Sequence, residues 1–251
     1  MSINCIDLKE FYEGLQGRMV QRLLRQHVRH IWPSLRGQTL VGFGYAQPVL
    51  RPLIGEAVSV TALIPAKFGA HPWPPEGKVL AAVCDPHALP LETSSVDRMI
   101  VLHGFDGEEM LDAVLSESWR VLSGQGRLIV IVPNRAGIWA RLDHTPFGHG
   151  TPFSQGQMRT ALRRHMFVPE SAERALFMPP SSSRLMLAAA PAVEKIGARF
   201  FNTFGGVNIV EAVKQVYAGT PVPAHHASMR RGVLTAPRPV SRLAGNREGS
   251  A

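Results

Sequence analysis

The chain has 251 residues, 45% apolar and 18% charged, with a formal net charge of +8 and a pI near 10.2. Its length admits one large domain or two small ones, and its basic balance favours acidic partners without choosing among nucleic acid, a membrane surface and anionic metabolites. Two cysteines, Cys5 and Cys84, give neither a disulfide framework nor a metal-ligand spacing, the N-terminus carries Asp7 and Glu10 rather than a signal peptide, and no apolar run is long enough to span a bilayer. A soluble cytoplasmic protein without a membrane partner is expected.

In chain order, Leu15, Met19, Leu23, Leu24, Val28 and Ile31 recur at helical spacing and predict an amphipathic helix over Leu8–Ile31, ended by Trp32-Pro33. Its other face holds Arg18, Arg22, Arg25 and Arg29. A first strand follows over Thr39–Phe43, leading into Gly42-Phe43-Gly44, then a short helix near Val49–Ile54 and a β-branched strand over Val58–Ile64. Residues 65–78 read as a Pro- and Gly-rich loop. The continuous apolar run Val79–Cys84 predicts a buried strand, and Asp97–Leu102 another. Glu108–Leu122 is an amphipathic helix with Ser123-Gly124 at the expected stop, followed by a central strand over Arg127–Pro133. The Gly- and His-rich stretch 138–151 reads as a loop. Ser154 caps a helix to about His165. Ala172–Met178 and Val207–Val216 predict strands around a helix over Pro191–Arg199. The sequence after Thr220 is rich in Pro, Ala, Arg and Ser, and predicts a flexible basic tail over 220–251.

Strands alternating with helices predict a parallel sheet covered on both faces, with ligands at the carboxyl ends of the strands. Two glycines after a strand permit a tight turn and a close backbone approach to a ligand, but a lone Gly-x-Gly is equally the signature of an ordinary strand-end turn.

Three blocks carry a more specific signal. Cys84-Asp85-Pro86-His87-Ala88-Leu89-Pro90, followed by Val96-Asp97, resembles the segment after the third strand of class I S-adenosylmethionine-dependent methyltransferases. Arg120-Val121-Leu122-Ser123-Gly124-Gln125-Gly126-Arg127-Leu128 is similar to their approach to the fifth strand, and Val207–Gln215 to their terminal hairpin strand. The resemblance covers roughly Phe11 to Tyr217. It implies an α/β, doubly wound, Rossmann-like sheet of seven strands, mostly parallel with an antiparallel last strand, within a domain over 1–219. In that domain 8–32 would be an N-terminal helix and 138–166 a lid or insertion. It also implies S-adenosyl-L-methionine as cofactor, held by Gly42, Gly44, Tyr45, Ala46, Asp85, Pro86 and Leu102, with Tyr12 closing over it.

The chain departs from that pattern where the family uses acids. Gly42, or Leu40 in the alternative register, replaces the acid before the glycines, and Ile64 replaces the acid that accepts from the ribose hydroxyls. Each lost charge-assisted hydrogen bond costs about 1.5–3 kcal/mol. Two readings therefore stand: a methyltransferase of unidentified acceptor, or a catalytically inactive protein of the same fold that binds or scaffolds. A nicotinamide-dependent oxidoreductase is a weaker third, because Ile64 also removes its ribose acid. His103, after the fourth strand, is the candidate general base, with a polar lip as the alternative. Asp143, His144, His149 and His165 match no standard metal spacing, so no metal is expected. Trp139, Phe147 and Phe153 would anchor a lid hinged at Gly148 and Gly150, or equally a rigid loop. The arginine face is a solvated surface or a site for an acidic partner. Nucleic acid is not favoured, because no stacking aromatics are interleaved with the arginines.

Overall fold

The computed structural model describes residues 4–181 and 183–216. The tail expected over 220–251 lies outside the described residues. Seven strands form one sheet in the order β3-β2-β1-β4-β5-β7-β6: β1 (Thr39–Gly44), β2 (Ser59–Pro65), β3 (Ala81–Cys84), β4 (Val96–Leu102), β5 (Leu122–Pro133), β6 (Phe167–Ala175) and β7 (Val207–Lys214). The first five pair in parallel, and β7 runs antiparallel to both neighbours. The order reverses between β1 and β4, which puts the ligand-binding crevice of such sheets at their carboxyl ends.

Alternation along each strand sends side chains to two cores. On one face Leu40, Ala62, Ile64, Ile100, Leu102, Ile129, Ile131 and Ile209 share a buried cluster with Val20, Leu23, Leu24 and Val28. These four lie on α2 (Leu15–Ile31). On the other face Val41, Phe43, Leu63, Met99, Val101 and Val130 cluster with Leu111, Val114 and Leu115 of α4 (Glu108–Val121) and with Met158 and Leu162 of α6 (Gln155–Arg164).

Several elements differ from the sequence expectation for identifiable reasons. The single helix over Leu8–Ile31 is two helices, α1 (Cys5–Glu13) and α2, because Gly14 adopts extended backbone with ψ 165°. Asn4 and Asp7 form a capping box that starts α1 before Leu8. The run Val79–Cys84 is not a buried strand. It contributes only the four-residue edge strand β3, with Ala82 and Val83 exposed, since no helix packs over it. Gly124 does not stop α4: Leu122 takes extended geometry directly after Val121 and opens β5. β6 begins at Phe167 rather than Ala172. The last helix, α7 (Arg184–Phe200), starts before Pro191 and contains it.

Between β1 and β2 lie only α3 (Gln47–Leu50) and a 3-10 turn at Arg51–Leu53. Between β2 and β3 a 3-10 turn at Ala66–Phe68 stands where a full helix would fit. The 138–151 stretch folds into a 3-10 turn at Trp139–Arg141 and α5 (Pro146–His149). Its Trp139 and Phe147, and Phe153 just beyond it, are buried, and Trp139 Nε1 donates to the Met178 carbonyl at 2.8 Å. Ser154 caps α6 with Gln157 in a capping box.

Candidate functional site

The crevice at the carboxyl ends of β1 and β4 is built around Gly44. Its φ of +85° is open to glycine, and a Cβ there would fall 2.3 Å from the Leu102 carbonyl oxygen. Tyr45 N donates to that same oxygen at 2.7 Å. The turn after β1 is thus drawn tight onto the end of β4. Gly42 is small for another reason: a Cβ would meet Leu50 Cδ1 at 2.5 Å and Ala46 Cβ at 2.6 Å. The position of the missing acid is packed by apolar atoms. Ile64, at the other missing acid, is fully buried in the same cluster.

Above the turn, side chains from five segments meet. The rings of Tyr12 and Tyr45 stack with centroids 5.8 Å apart and planes 15° apart. Tyr12 Oη and His103 Nε2 share a hydrogen bond of 2.8 Å. The His103 ring lies 4.8 Å from Phe147, which packs edge-on against Trp139. Tyr45 also approaches His71 at 6.0 Å, and His71 Nδ1 is 2.9 Å from Cys5 Sγ.

Burial sets the protonation states here. Loss of water holds the His103 imidazole down at about 3 and pushes both tyrosine hydroxyls up, because desolvation disfavours each charged form. The pair Tyr12–His103 is therefore neutral, one member donating and the other accepting. For His103 to serve as a base, an acceptor must first replace Tyr12 at Nε2.

Tyr12, Gly42, Gly44, Tyr45, Ala46, Leu102 and His103 thus sit at or next to one strand-end cluster. Asp85 and Pro86 follow β3, two strands from β1 along the same carboxyl edge of the sheet. Asp85 is exposed, and its Oδ1 accepts from His87 N at 2.8 Å while its carbonyl accepts from Ala88 N at 3.1 Å. That is an Asx turn closing the end of β3.

Beside the tyrosine stack a cavity of about 240 Å³ opens between α1, α2, α3 and the loop around residues 71–75. Its lining includes Tyr12, Tyr45, Gln47, Arg25, Arg51 and Trp73. Gln47 is 3% exposed, yet neither its Nε2 nor its Oε1 has a hydrogen-bond partner among the described residues. A buried amide left unpaired costs about 1–3 kcal/mol, so such a group calls for an occupant of the adjoining space. Arg25 donates to the Pro48 carbonyl at 2.6 Å and to Gln21 Oε1 at 2.7 Å, which fixes its stem along the cavity wall. Arg51 pairs with exposed Glu76. The donor set suits a small molecule with a planar apolar part and an anionic end. Sequence reading missed Gln47, Trp73 and His71. The one available signal was a polar residue three positions after Gly44.

The arginine face of α2 is partly engaged in structure. Arg29 binds Glu56 through two bonds of 2.9 and 2.6 Å, and Leu35 N donates to the same carboxylate. These bonds hold Glu56 at about 2. His27 Nδ1 is 2.7 Å from Glu173. Arg18 donates to the Glu13 carbonyl. Among the described residues no cluster of three His, Cys, Asp or Glu could hold a metal ion, and no helix is long and apolar enough to cross a membrane.

No protein-family model matches the sequence. Among curated proteins, demethylmenaquinone methyltransferase of Thermus thermophilus is 30% identical over 108 residues, which is 42% of this chain and 48% of that protein. The chain therefore matches about half the length of that relative. Among solved structures, the complex of a Haloferax volcanii putative methyltransferase with the activator Trm112 gives a TM-score of 0.56 at 17% identity, over 80% of this chain and 93% of that one. A Thermotoga maritima SAM-dependent methyltransferase, described as a possible histamine N-methyltransferase, gives 0.56 at 16% identity, over 82% and 94%. At such identities the likeness is one of fold, and the fold is that of the class I S-adenosylmethionine-dependent methyltransferases.

Proposed function

We propose that the protein is an S-adenosylmethionine-dependent methyltransferase whose cofactor enters the cavity beside the Tyr12–Tyr45 stack. The acceptor is not identified. The observation that carries the reading is Gln47, whose buried amide lies without a partner on the wall of that cavity, next to the Gly44 turn. In this reading Gln47 hydrogen-bonds the cofactor's polar groups, and Tyr45 and Trp73 flank its planar part. Arg25 and Arg51 offer cationic donors to its carboxylate. The cofactor supplies an electrophilic methyl group already activated on a sulfonium, so the chain's own task is binding and in-line positioning. His103, kept neutral by burial, can accept a proton from an acceptor that displaces Tyr12. Residues 138–166, anchored through Trp139 and Phe147, form the wall on the acceptor side. The curated relative, a demethylmenaquinone methyltransferase, supports methyl transfer as the reaction class.

A second reading, a binding or scaffold protein that has lost catalysis, is favoured by one specific feature. Leu50 and Ala46 fill the space beside Gly42, and Ile64 is sealed into the core, so neither missing acid can be replaced by a neighbour.

Calorimetric titration with S-adenosylhomocysteine tests the proposal. We expect saturable binding and a thermal upshift, with Gln47→Leu weakening affinity about tenfold, as loss of a buried hydrogen bond should. Absence of both heat and thermal shift at millimolar ligand removes the methyltransferase reading and leaves the scaffold. Asp85→Ala should change affinity less than Gln47→Leu, because Asp85 does not line the cavity. The acidic partner expected at the arginine face falls to Arg18 and Arg22, which have no carboxylate partner among the described residues.

A further inference from the structure

Helix α7 is apolar on both sides. Its inward side carries buried Ala190, Glu194 and Gly197, with Leu187 and Val193 packed against the core. Glu194 is the only acid of the helix, and it is spent inside: its carboxylate accepts from Phe177 N at 2.7 Å and from Leu176 N at 3.1 Å. The outward face is apolar. Leu185, Ala189, Ala192, Ile196 and Phe200 recur at helical spacing along one stripe, with Leu185 81%, Ile196 53% and Phe200 69% exposed. Phe201 and Phe204, just past the helix end, are exposed as well. An exposed apolar strip of this length on a folded domain marks a contact surface.

Charge identifies what the strip contacts. Arg184, Lys195 and Arg199 flank the stripe and are exposed, and the outer face has no carboxylate. Alongside, a groove of about 320 Å³ separates α7 from α2. Leu15, Met19 and Leu187 contribute to its apolar lining, and Arg18, Arg22 and Arg184 line it as well. An apolar stripe bordered by cations, with aromatic and aliphatic residues to insert, is the pattern of a helix that lies in a membrane interface. We propose that the outer face of α7, with the arginine-lined groove beside it, docks onto an anionic phospholipid bilayer. The apolar stripe enters the acyl boundary, and the arginines of the groove contact lipid phosphates.

The alternatives fit the charges poorly. A second copy pairing through the same face would bring rows of Arg184, Lys195 and Arg199 together, because a two-fold interface repeats one patch on both sides. The chain's own residues 217–251 carry five arginines and one glutamate, so they match the surface no better. That the chain has no membrane-crossing helix among its described residues does not bear on a helix lying flat. The groove shares no lining residue with the Gln47 cavity, so the proposal stands or falls separately from the methyltransferase reading.

The test is co-sedimentation of the full-length chain with vesicles of phosphatidylcholine alone and of phosphatidylcholine mixed with phosphatidylglycerol. Binding is expected to the mixed vesicles only and to weaken at high salt, which shortens the reach of exposed charges. Leu185→Ser with Ile196→Ser should lower the vesicle partition coefficient about tenfold or more, since both apolar side chains leave the bilayer. Arg22→Gln with Arg184→Gln should lower it several-fold for the mixed vesicles. All four side chains are exposed, so circular dichroism and melting temperature should stay those of the parent chain. Three results would overturn the proposal. One is equal binding to both vesicle types. The next is unchanged binding by the Leu185/Ile196 variant, which would move the contact to the basic sequence beyond residue 216. The last is a concentration-dependent dimer in light scattering that Ile196→Ser dissolves, which would give the face to a second copy.

Discussion

The two halves of the sheet wear unequal covers. From β4 to β6 the strands lie against α4 and α6, and side chains such as Leu115, Val130 and Leu162 are wholly buried. From β1 to β3 the crossovers shrink to a four-residue helix and single 3-10 turns, and the last strand has its outer residues in water. β3, β2 and β1 pair only in parallel, whereas the other half ends in the antiparallel ladders of β7. What also differs is the volume of apolar packing above the ladder. The well-covered half holds the fold. The thinly covered half holds the candidate site, its missing acids and its unpaired amide. Stability and ligand chemistry are thus separated along the sheet, and site residues can change without loss of the fold.

Substitutions that probe this division fall in a clear order. Leu115→Ala, in the covered half, should cost about 2–5 kcal/mol in urea denaturation, the usual penalty for a large core truncation. If it costs under about 1 kcal/mol, the covered half is not the anchor. Gly44→Ala comes next at about 2–4 kcal/mol, since it combines a left-handed backbone with collision against the Leu102 carbonyl. Gly55→Ala is its control: φ is +86° but nothing lies within 4 Å, so only the backbone term of about 1–2 kcal/mol remains.

His103, which follows β4 at the seam of the two halves, should give the molecule a pH signature. Its folded value of about 3 lies below the 6.5 of a free imidazole, so between those values the unfolded chain binds a proton that the folded chain refuses. Its contribution is complete above pH 6.5 and is lost as pH falls toward 3. Melting temperature measured across that window should decline, and His103→Gln should flatten the decline. Asp85→Ala should cost about 0.5–1 kcal/mol, the loss of a turn bond. Smallest of all, Val83→Ser on the exposed face of β3 should stay within about 0.5 kcal/mol.

The same division governs how much could be read from sequence. Helix α4, strand β5 and the Ser154 cap are visible because each is built by a local rule: apolar spacing, a β-branched run, a capping box. Val79–Cys84 misleads because a continuous apolar run signals burial only where a neighbour covers it, and here the covering helix is absent. The break at Gly14 has no proline to announce it. Helix α7 opens at Arg184, ahead of Pro191, although in sequence a proline marks a helix start rather than an interior position. At the site, Tyr12, Tyr45 and His103 were each named singly, and the structure brings them together. Gln47 was missed because its significance lies in having no partner, a property of three-dimensional surroundings that no sequence spacing encodes. Asp85, named for its Ala-Leu-Pro setting, also holds its own turn through His87 N.

The brevity of β3 has a consequence for how the molecule keeps to itself. A border strand left bare invites a foreign strand to zip onto its free amides and carbonyls. Here that border is four residues long and closes at once into the Asp85–Ala88 bridge, with Pro86 and Pro90 following. A visiting chain would find too few rungs to climb, so the thinly covered flank is guarded against self-assembly by being short.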